Sequence, residues 1–250
     1  MDRWVGKVAI VTGSSSGIGA AIAVDLANAG MIVVGLARRV ERVEELKSKV
    51  NSTIGSLHAI KCDITKEDDI KSAFNWTIDT FGGVDVLINN AGLMRKMNLI
   101  DKDNTALIRE VIDTNIMGVV LCTREAYQSM KSRNVDGHVI HINSVGGHQV
   151  PNLPIGSMNI YPPTKFAVTA ITEVLRQEFN REGTKIKVTS ISPGGVRTEM
   201  IGSTPEIMEA AKNWPLLDSE DVSQAVLYVL ATKPHVQIHE LIIKPLGEVV

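Results

Sequence analysis

Short apolar runs alternate along the chain with longer stretches in which apolar residues recur at helical spacing. The short runs are rich in Val and Ile, which is typical of strands buried on both faces, and they cover residues 7–12, 31–37, 57–62, 84–88, 138–142, 185–191 and 237–243. The helical stretches cover residues 18–29, 42–50, 66–81, 104–133, 165–181 and 219–231. This alternation predicts an α/β fold in which a seven-stranded parallel sheet is doubly wound, with helices on both faces. Because no linker or repeat divides the pattern, residues 1–250 are expected to form a single domain.

The composition narrows the class of protein. The 250 residues carry a net charge of −2 and only 4% are aromatic, so we expect no nucleic acid partner. The apolar stretches are too short to cross a bilayer, so no membrane segment is expected. Cys62 and Cys122 lie in apolar surroundings typical of free thiols in a reducing compartment, which predicts a cytoplasmic location. His138 and His141 lack the partner residues of a metal site, so no metal is predicted.

A glycine-rich turn follows the first predicted strand. It reads Gly13-Ser14-Ser15-Ser16-Gly17-Ile18-Gly19. Glycines let the backbone approach a pyrophosphate, and the next helix offers its N-terminal N–H groups to the phosphate oxygens. A simple tight turn is the alternative, but the position between a strand and a helix is the one that phosphate binding requires. The sequence therefore predicts a dinucleotide site at this turn.

Two arginines follow the second predicted strand. An Asp or Glu there would bond the ribose 2′-hydroxyl of NAD, whereas the guanidinium of Arg38 or Arg39 matches the 2′-phosphate of NADP. We therefore predict NADP as the cofactor and favour Arg38 over Arg39 as the phosphate ligand, with a solvated charge pair as the alternative. After the third strand, Asp63 and Ile64 lie where a carboxylate could meet the adenine amine, although such an acid is more often a helix-entry residue.

Candidate catalytic residues follow the fourth and fifth strands. Asn90, Ala91 and Gly92 suit close packing against a cofactor. Tyr161 and Lys165 share one face of a helix, because they are four residues apart. A phenol has a pKa of about 10, and a nearby lysine cation favours the phenolate, so this pair can exchange the proton that accompanies hydride transfer. A chance pair on a partly exposed helix is the alternative.

These motifs occur together and in order. The chain contains T-G-x-x-x-G-I-G from Thr12, N-N-A-G from Asn89, then Asn115, Ser144, Y-x-x-x-K from Tyr161 and Pro193-Gly194. In this combination the chain resembles the short-chain dehydrogenase/reductase family. The resemblance implies a Rossmann fold and assembly into a homodimer or homotetramer.

The resemblance also implies roles for individual residues. It implies a catalytic tetrad of Asn115, Ser144, Tyr161 and Lys165. In that tetrad Tyr161 is the general acid/base and Ser144 bonds the substrate oxygen. Lys165 binds the nicotinamide ribose and lowers the tyrosine pKa, and Asn115 holds a water that relays protons to Lys165. Four further residues are implied to border the nicotinamide, namely Pro193, Gly194, Val196 and Thr198.

Segments outside the motifs indicate a branch of the family. The run 122–131, the first four residues and the tail around His235 are similar to NADP(H)-dependent members that act on prenyl alcohols, keto-steroids or other lipophilic carbonyls. The resemblance therefore implies an oxidoreductase that interconverts a lipophilic alcohol, such as farnesol or a steroid, with its aldehyde or ketone. The alternative is a non-catalytic nucleotide-binding regulatory protein of the same fold.

Two further features of the sequence concern the position of Tyr161 and the walls around the substrate. Pro162 and Pro163 stand between Tyr161 and Lys165, and proline is tolerated only in the first turn of a helix. We therefore predict a late helix start with Tyr161 near the N-cap. An earlier start would displace Tyr161 from the substrate and favour the non-catalytic alternative. Residues 198–217 are longer than a usual connection and are expected to form a lid over an apolar substrate, with residues 151–160 as the opposite wall.

Overall fold

The central sheet consists of strands that all run parallel. The computed structural model describes residues 1–152, 158–200 and 214–248. The described strands are β1 (Val8–Thr12), β2 (Ile32–Ala37), β3 (Ser56–Lys61), β4 (Val86–Asn89), β5 (His138–Ile142), β6 (Lys187–Pro193) and β7 (Glu240–Ile243). They are arranged in the order β3-β2-β1-β4-β5-β6-β7, and every neighbouring pair is parallel. The predicted doubly wound, seven-stranded parallel sheet is therefore confirmed.

Helices pack on both faces of this sheet. The described α-helices are α1 (Gly17–Asn28), α2 (Val40–Leu46), α3 (Glu67–Phe81), α4 (Thr105–Ile112), α5 (Gly118–Ser132), α6 (Tyr161–Arg181) and α7 (Ser219–Ala231). On one face, Ile22 of α1 and Val226 of α7 lie in a core that contains Val11 of β1. On the other face, Phe74 of α3 lies in a core that contains Ile10 of β1. Successive residues of β1 enter different cores, which is why this strand is apolar at consecutive positions.

Local chemistry sets the ends of the helices. The first turn of α3 carries Glu67 and Asp68, whose charges suit the positive end of the helix dipole. The same helix ends at Gly82, which has a left-handed φ of 83° that glycine adopts without strain. Helix α7 begins with a capping box, in which Asp218 and Asp221 each accept the other's backbone N–H.

The helical region predicted over residues 104–133 is interrupted by a π-helical turn. Residues Asp113–Met117 form this turn between α4 and α5. The apolar periodicity over residues 104–133 predicts one helical region and gives no sign of such a turn. Asn115 lies in the middle of the turn and is buried. The departure from regular helix therefore falls on a predicted site residue.

Helix α6 begins at Tyr161, directly after its N-cap residue Ile160. Pro162 and Pro163 fall in the first turn, where backbone N–H groups have no partner within the helix, so proline loses no hydrogen bond there. The prediction that Tyr161 lies near the N-cap is confirmed. The helix nevertheless starts before Lys165, the first residue of the predicted helical stretch, because the two prolines are themselves helical.

The cysteines and two histidines of the core are buried, and the histidines are hydrogen-bonded to neighbouring threonines. Both cysteines are buried free thiols, and burial raises the pKa of Cys62 to about 12. The Nε2 atom of His138 lies 2.9 Å from Oγ1 of Thr189, and Nδ1 of His141 lies 2.8 Å from Oγ1 of Thr172. Within the described ranges, no group of three His, Cys, Asp or Glu side chains could hold a metal ion. None of the described helices is long and apolar enough to span a membrane.

We predict that His138 makes the protein less stable in acid. Burial lowers the pKa of His138 to about 3, below the ordinary histidine value of about 6.5. Between these two values the unfolded chain binds a proton that the folded chain does not, so the free energy of unfolding falls as the pH decreases from about 6.5. His138→Gln should reduce this slope by about 1.4 kcal/mol per pH unit.

Urea denaturation between about pH 4.5 and pH 7 measures the slope. His235→Gln, at an exposed position, is the control for the substitution of a histidine that is not buried. Equal slopes for the wild type and His138→Gln would contradict a histidine that is kept neutral by burial.

Candidate active site

The carboxyl ends of the central strands open onto one cavity of ≈970 Å³. It lies at the crevice where the strand order reverses between β1 and β4, the position at which doubly wound sheets bind ligands. Most of the predicted site residues line it: Gly13, Ser15, Ser16, Gly17, Ile18, Arg38, Arg39, Asp63, Ile64, Asn90, Ala91, Gly92, Ser144, Tyr161, Lys165, Pro193, Gly194, Val196 and Thr198. The two remaining predicted residues, Gly19 and Asn115, contact this lining from behind.

The loop after β1 is held tightly by the loop after β4. Gly13 has a φ of 67°, and a Cβ atom there would lie 2.8 Å from Cα of Ala91. A Cβ atom on Gly19 would lie 2.5 Å from the carbonyl oxygen of Gly13. Asn90 donates from Nδ2 to the carbonyl oxygen of Thr12 (2.9 Å), and Oγ1 of Thr12 accepts the N–H groups of Asn90 and Ala91 (3.0 Å each). Asn90 therefore positions the glycine loop.

Arg39 is the arginine that reaches the glycine loop. Its Nη2 atom donates to Oγ of Ser16 (3.1 Å) and to Oγ of Ser15 (3.4 Å). The same nitrogen donates to Oε2 of Glu199 (3.0 Å). The other carboxylate oxygen of Glu199, Oε1, accepts a hydrogen bond from Nη1 of Arg42 (2.6 Å). Positive charge thus lies beside the loop at the end of β2, where the sequence predicts it.

Arg38 takes a different position, towards the end of β3. Partial burial acts to raise the pKa of Asp63, but hydrogen bonds from Thr65 and the charge of Arg38 outweigh it and lower that pKa. Asp63 is therefore ionised at neutral pH and accepts the hydroxyl of Thr65 at 2.8 Å. The described hydrogen bonds therefore place Arg39 beside the glycine loop, whereas the sequence analysis favours Arg38 as the phosphate ligand.

Ser144, Tyr161 and Lys165 lie together at the ends of β5 and α6. Oγ of Ser144 accepts the N–H of Gly146 at 3.0 Å, and the same side chain is hydrogen-bonded to Tyr161. Nζ of Lys165 lies 5.6 Å from the centre of the Tyr161 ring and donates to the carbonyl oxygen of Ile142 at 2.9 Å. The structure thus brings three of the four residues of the predicted tetrad into one group.

Burial dominates the protonation of this group. It raises the pKa of Tyr161 to about 12, while the hydrogen bond to Ser144 acts in the opposite direction. Burial also lowers the pKa of Lys165 to about 8. In the protein by itself, Tyr161 is therefore a neutral phenol at pH 7 and Lys165 is a cation. Formation of the phenolate requires more positive charge nearby than Lys165 alone supplies.

Asn115, the fourth predicted tetrad residue, connects the π turn to two other segments. Its Oδ1 atom accepts the N–H of Leu93 (2.8 Å), and its Nδ2 atom donates to the carbonyl oxygen of Leu93 (2.9 Å) and to Oγ1 of Thr164 (3.0 Å). A Cβ atom on Gly92 would lie 3.7 Å from Oδ1 of Asn115 and 4.0 Å from Nζ of Lys165. Asn115 therefore holds the segment after β4 against α6 beside the lysine.

The segment after β6 borders the cavity, and backbone hydrogen bonds join its first residues to Leu217. Leu217 donates its N–H to the carbonyl oxygen of Gly195, and Arg197 donates its N–H to the carbonyl oxygen of Leu217, both at 2.8 Å. A Cβ atom on Gly17 would lie 3.1 Å from Cγ2 of Thr198, so this segment also contacts the glycine loop. The two ends of the predicted lid are thereby joined.

The predicted substrate side of the cavity is described in part. Residues 201–213 of the predicted lid and residues 153–157 of the predicted opposite wall lie outside the described residues. The described part offers large apolar side chains, namely Leu93, Met94, Met158, Met200, Trp214 and Leu216. This lining suits an apolar ligand.

Three further residues at or beside the cavity have no individual role in the sequence-based prediction, although Glu199 falls within the predicted lid. Arg42 lies in α2, three residues after the N-cap residue Arg39, and this spacing could have indicated it. Glu199 is separated from Arg39 by 160 residues, so no local pattern connects them. Glu248 lines the cavity from the opposite end of the chain, and no sequence signal indicates this.

A doubly wound sheet with a glycine loop and a Ser–Tyr–Lys group at its crevice defines a nicotinamide-dependent oxidoreductase of the Rossmann class. The short chain dehydrogenase family matches residues 7–208. The chain is 61% identical over 249 residues to the farnesol dehydrogenase of Aedes aegypti, covering 99% of each protein. It is 44% identical over 257 residues to dehydrogenase/reductase SDR family member 11 of Homo sapiens, covering 100% of this chain and 98% of the relative.

Solved structures agree with this assignment. A short-chain type dehydrogenase/reductase from Mycobacterium marinum matches with a TM-score of 0.87 at 27% identity, covering 96% of this chain and 95% of that one. The closed form of serine dehydrogenase complexed with NADP⁺ matches with a TM-score of 0.86 at 30% identity, covering 97% of this chain and 96% of that one. The chain therefore belongs to the short-chain dehydrogenase family, and the predicted resemblance is confirmed.

We predict that a methyl group at Gly19 disrupts the glycine loop. Alanine is favoured over glycine in a helix by about 1 kcal/mol, but a Cβ atom at this position overlaps the backbone of Gly13. Overpacking of this kind costs about 1–3 kcal/mol, so Gly19→Ala should lower the free energy of unfolding and weaken NADPH binding. Urea denaturation and a fluorescence titration with NADPH measure the two effects.

Gly92→Ala is the matched control for folding. The nearest atom to its added Cβ is 3.7 Å away, an ordinary contact, so its free energy of unfolding should change by less than about 0.5 kcal/mol. If Gly19→Ala were as stable as the wild type and bound NADPH equally well, the close approach of the two loops would be contradicted.

Proposed function

We propose that the protein is an NADP(H)-dependent oxidoreductase that interconverts a lipophilic alcohol and its aldehyde or ketone. The observation that carries this proposal is a single cavity with two chemically different ends. Arg39 and the glycine loop line one end, and Ser144, Tyr161 and Lys165 line the other. The first end suits the phosphates of a dinucleotide, and the second suits proton transfer to or from an oxygen atom.

The residues at the first end fit NADP(H). The positive φ of Gly13 and its lack of a side chain let the glycine loop pack against Ala91, and the loop and the first turn of α1 line the cavity where a pyrophosphate can approach. The planar guanidinium of Arg39 lies beside the hydroxyls of Ser15 and Ser16, a donor set that suits a phosphate. The matching serine dehydrogenase structure contains NADP⁺, which supports the same choice of cofactor.

The residues at the second end fit the proton transfer of a carbonyl reduction. The nicotinamide of NADP(H), when bound, supplies or accepts the hydride. Tyr161 is a buried neutral phenol that donates its proton to the carbonyl oxygen as this oxygen gains negative charge, and it takes the proton back in the oxidation of the alcohol. Ser144 donates a hydrogen bond to the same oxygen and so holds it at the tyrosine.

Lys165 and Asn115 support this proton transfer. The ammonium group of Lys165 lies 5.6 Å from the centre of the Tyr161 ring, so its positive charge stabilises the phenolate that remains after proton donation. Asn115 uses its side chain to hold Leu93 and Thr164. We therefore assign Asn115 a positioning role beside Lys165, together with the proton relay that the family resemblance implies.

The substrate is proposed to be a prenyl alcohol such as farnesol, a steroid or another lipophilic carbonyl compound. Each buried methylene group contributes about 0.8 kcal/mol, which a long apolar substrate gains against the apolar wall of the cavity. The name of the Aedes aegypti relative, farnesol dehydrogenase, supports a prenyl alcohol at 61% identity. The buried free thiols support a reducing, cytoplasmic location, and the resemblance to the family supports a homodimer or homotetramer.

We expect Tyr161→Phe to abolish most of the activity. NADPH absorbance follows the reduction of farnesal, keto-steroids and quinones, and the oxidation of the alcohols with NADP⁺. Loss of the general acid should lower kcat by about 10²–10⁴-fold and leave NADPH affinity within about twofold. Tyr228→Phe removes the same hydroxyl from an exposed position on α7 and should leave kcat unchanged. Wild-type turnover by Tyr161→Phe, or a wild type inactive with every compound, would count against the proposed function.

We expect Arg39→Asp to reverse the cofactor preference. The substitution removes a charge-assisted donor and places a carboxylate near the ribose, so NADPH affinity should fall by about 10–100-fold while NADH affinity rises. Arg38→Asp is the matched comparison, because none of the described hydrogen bonds joins Arg38 to the glycine loop, and its effect should be smaller. Fluorescence titrations with both cofactors measure the change. A larger loss of NADPH affinity in Arg38→Asp would reassign the phosphate to Arg38.

A further inference from the structure

Glu199 forms ion pairs with two arginines beside the glycine loop. Its Oε2 atom lies 3.0 Å from Nη2 of Arg39, and its Oε1 atom lies 2.6 Å from Nη1 of Arg42. Glu199 and Arg39 both line the cavity. These contacts join the segment after β6 to the segment after β2, across 157 and 160 residues of chain.

The Nη2 atom of Arg39 is already fully used. It carries two hydrogens and faces three described oxygen atoms, on Ser15, Ser16 and Glu199. A phosphate oxygen that approaches this nitrogen must therefore displace one of them, and one that approaches another nitrogen of the same guanidinium still lies close to the carboxylate of Glu199. The two serine hydroxyls can turn and donate to a phosphate, whereas an ionised carboxylate only accepts hydrogen bonds and repels it.

Arg39 and Arg42 stabilise the ionised form of Glu199. Hydrogen bonds from Arg42 and Arg39 lower the pKa of Glu199, so its carboxylate is ionised at neutral pH. The side chains of Arg39 and Glu199 are 44% and 54% exposed, so the ion pair is weak and water can replace either partner. Displacement of Glu199 by a second anion is therefore feasible, but the two anions compete.

We infer that Glu199 is a cofactor-specificity residue, because its carboxylate competes with the 2′-phosphate of NADP(H) for Arg39 and Arg42. This inference rests on the proposed function, since it requires a 2′-phosphate at the glycine loop. The competition weakens binding of the 2′-phosphate and leaves binding of a dinucleotide without that phosphate almost unaffected. Glu199 thus reduces the preference for NADP(H) that the arginines create.

Isothermal titration of the full-length protein with two probes tests this competition. Adenosine 2′,5′-bisphosphate carries the 2′-phosphate, and 5′-AMP lacks it. Glu199→Gln keeps the shape of the side chain and removes the charge, so we expect about fivefold tighter binding of the bisphosphate at low salt. Binding of 5′-AMP should change by less than about 1.5-fold, and the gain should fall below about twofold at roughly 0.5 M salt, because ions screen exposed charges.

Glu45→Gln is the matched control. It removes the same charge from α2, and Glu45 makes no ion pair with Arg39 or Arg42, so both probes should bind as in the wild type. Thermal unfolding verifies that each variant is folded, and Glu199→Ser provides the same loss of charge if Glu199→Gln does not fold.

The possible outcomes separate this inference from the proposed function. If Glu199→Gln binds the bisphosphate no more tightly than the wild type, or more weakly, the competition is overturned, and weaker binding shows that Glu199 orients the arginines instead. If the wild type shows no preference for the bisphosphate but Glu199→Gln acquires one, the competition is supported. If neither protein prefers the bisphosphate, the inference is overturned and the assignment of NADP(H) in the proposed function fails with it.

Discussion

A parallel sheet places the carboxyl ends of all of its strands at one edge, and the reversal of strand order between β1 and β4 opens a crevice there. Every part of the candidate site depends on this constraint. The glycine loop follows β1, Arg39 follows β2, Asn90 follows β4 and Ser144 follows β5. None of these residues is near the others in sequence, yet all of them line one cavity.

Burial then determines what the residues of the crevice can do. Removal from water raises the pKa of Tyr161 to about 12 and lowers the pKa of Lys165 to about 8, so the two groups differ more in proton affinity than they do in solution. A buried ammonium group also destabilises the folded chain, and the hydrogen bond to the carbonyl oxygen of Ile142 offsets part of that cost. The end of the cavity that carries Ser144, Tyr161 and Lys165 is thus buried at the expense of stability, as is common at active sites.

Much of this arrangement could be predicted from the sequence, because its signals are local. Strand β1 is buried on both faces and is therefore apolar at consecutive positions, and the four-residue spacing of Tyr161 and Lys165 places them on one face of α6. The prolines after Tyr161 similarly predict its place near the start of a helix, because proline is tolerated there.

The remaining features depend on contacts that a local pattern does not contain. The π turn at Asn115 is a local change in backbone hydrogen bonding, which the pattern of apolar residues does not indicate. Arg38 and Arg39 are identical in type and adjacent, and only the packed structure shows which one reaches Ser16. The pairing of Arg39 with Glu199 spans 160 residues, so it exists only once the sheet has formed.

A crystal structure of the protein in complex with NADP⁺ tests the central claim most directly, because it locates both ends of the cofactor at once. The predicted result places the 2′-phosphate within hydrogen-bonding distance of the Arg39 guanidinium and the nicotinamide beside Tyr161 and Lys165. A dinucleotide bound outside this cavity, or bound in it with the nicotinamide at the arginine end, would contradict the account.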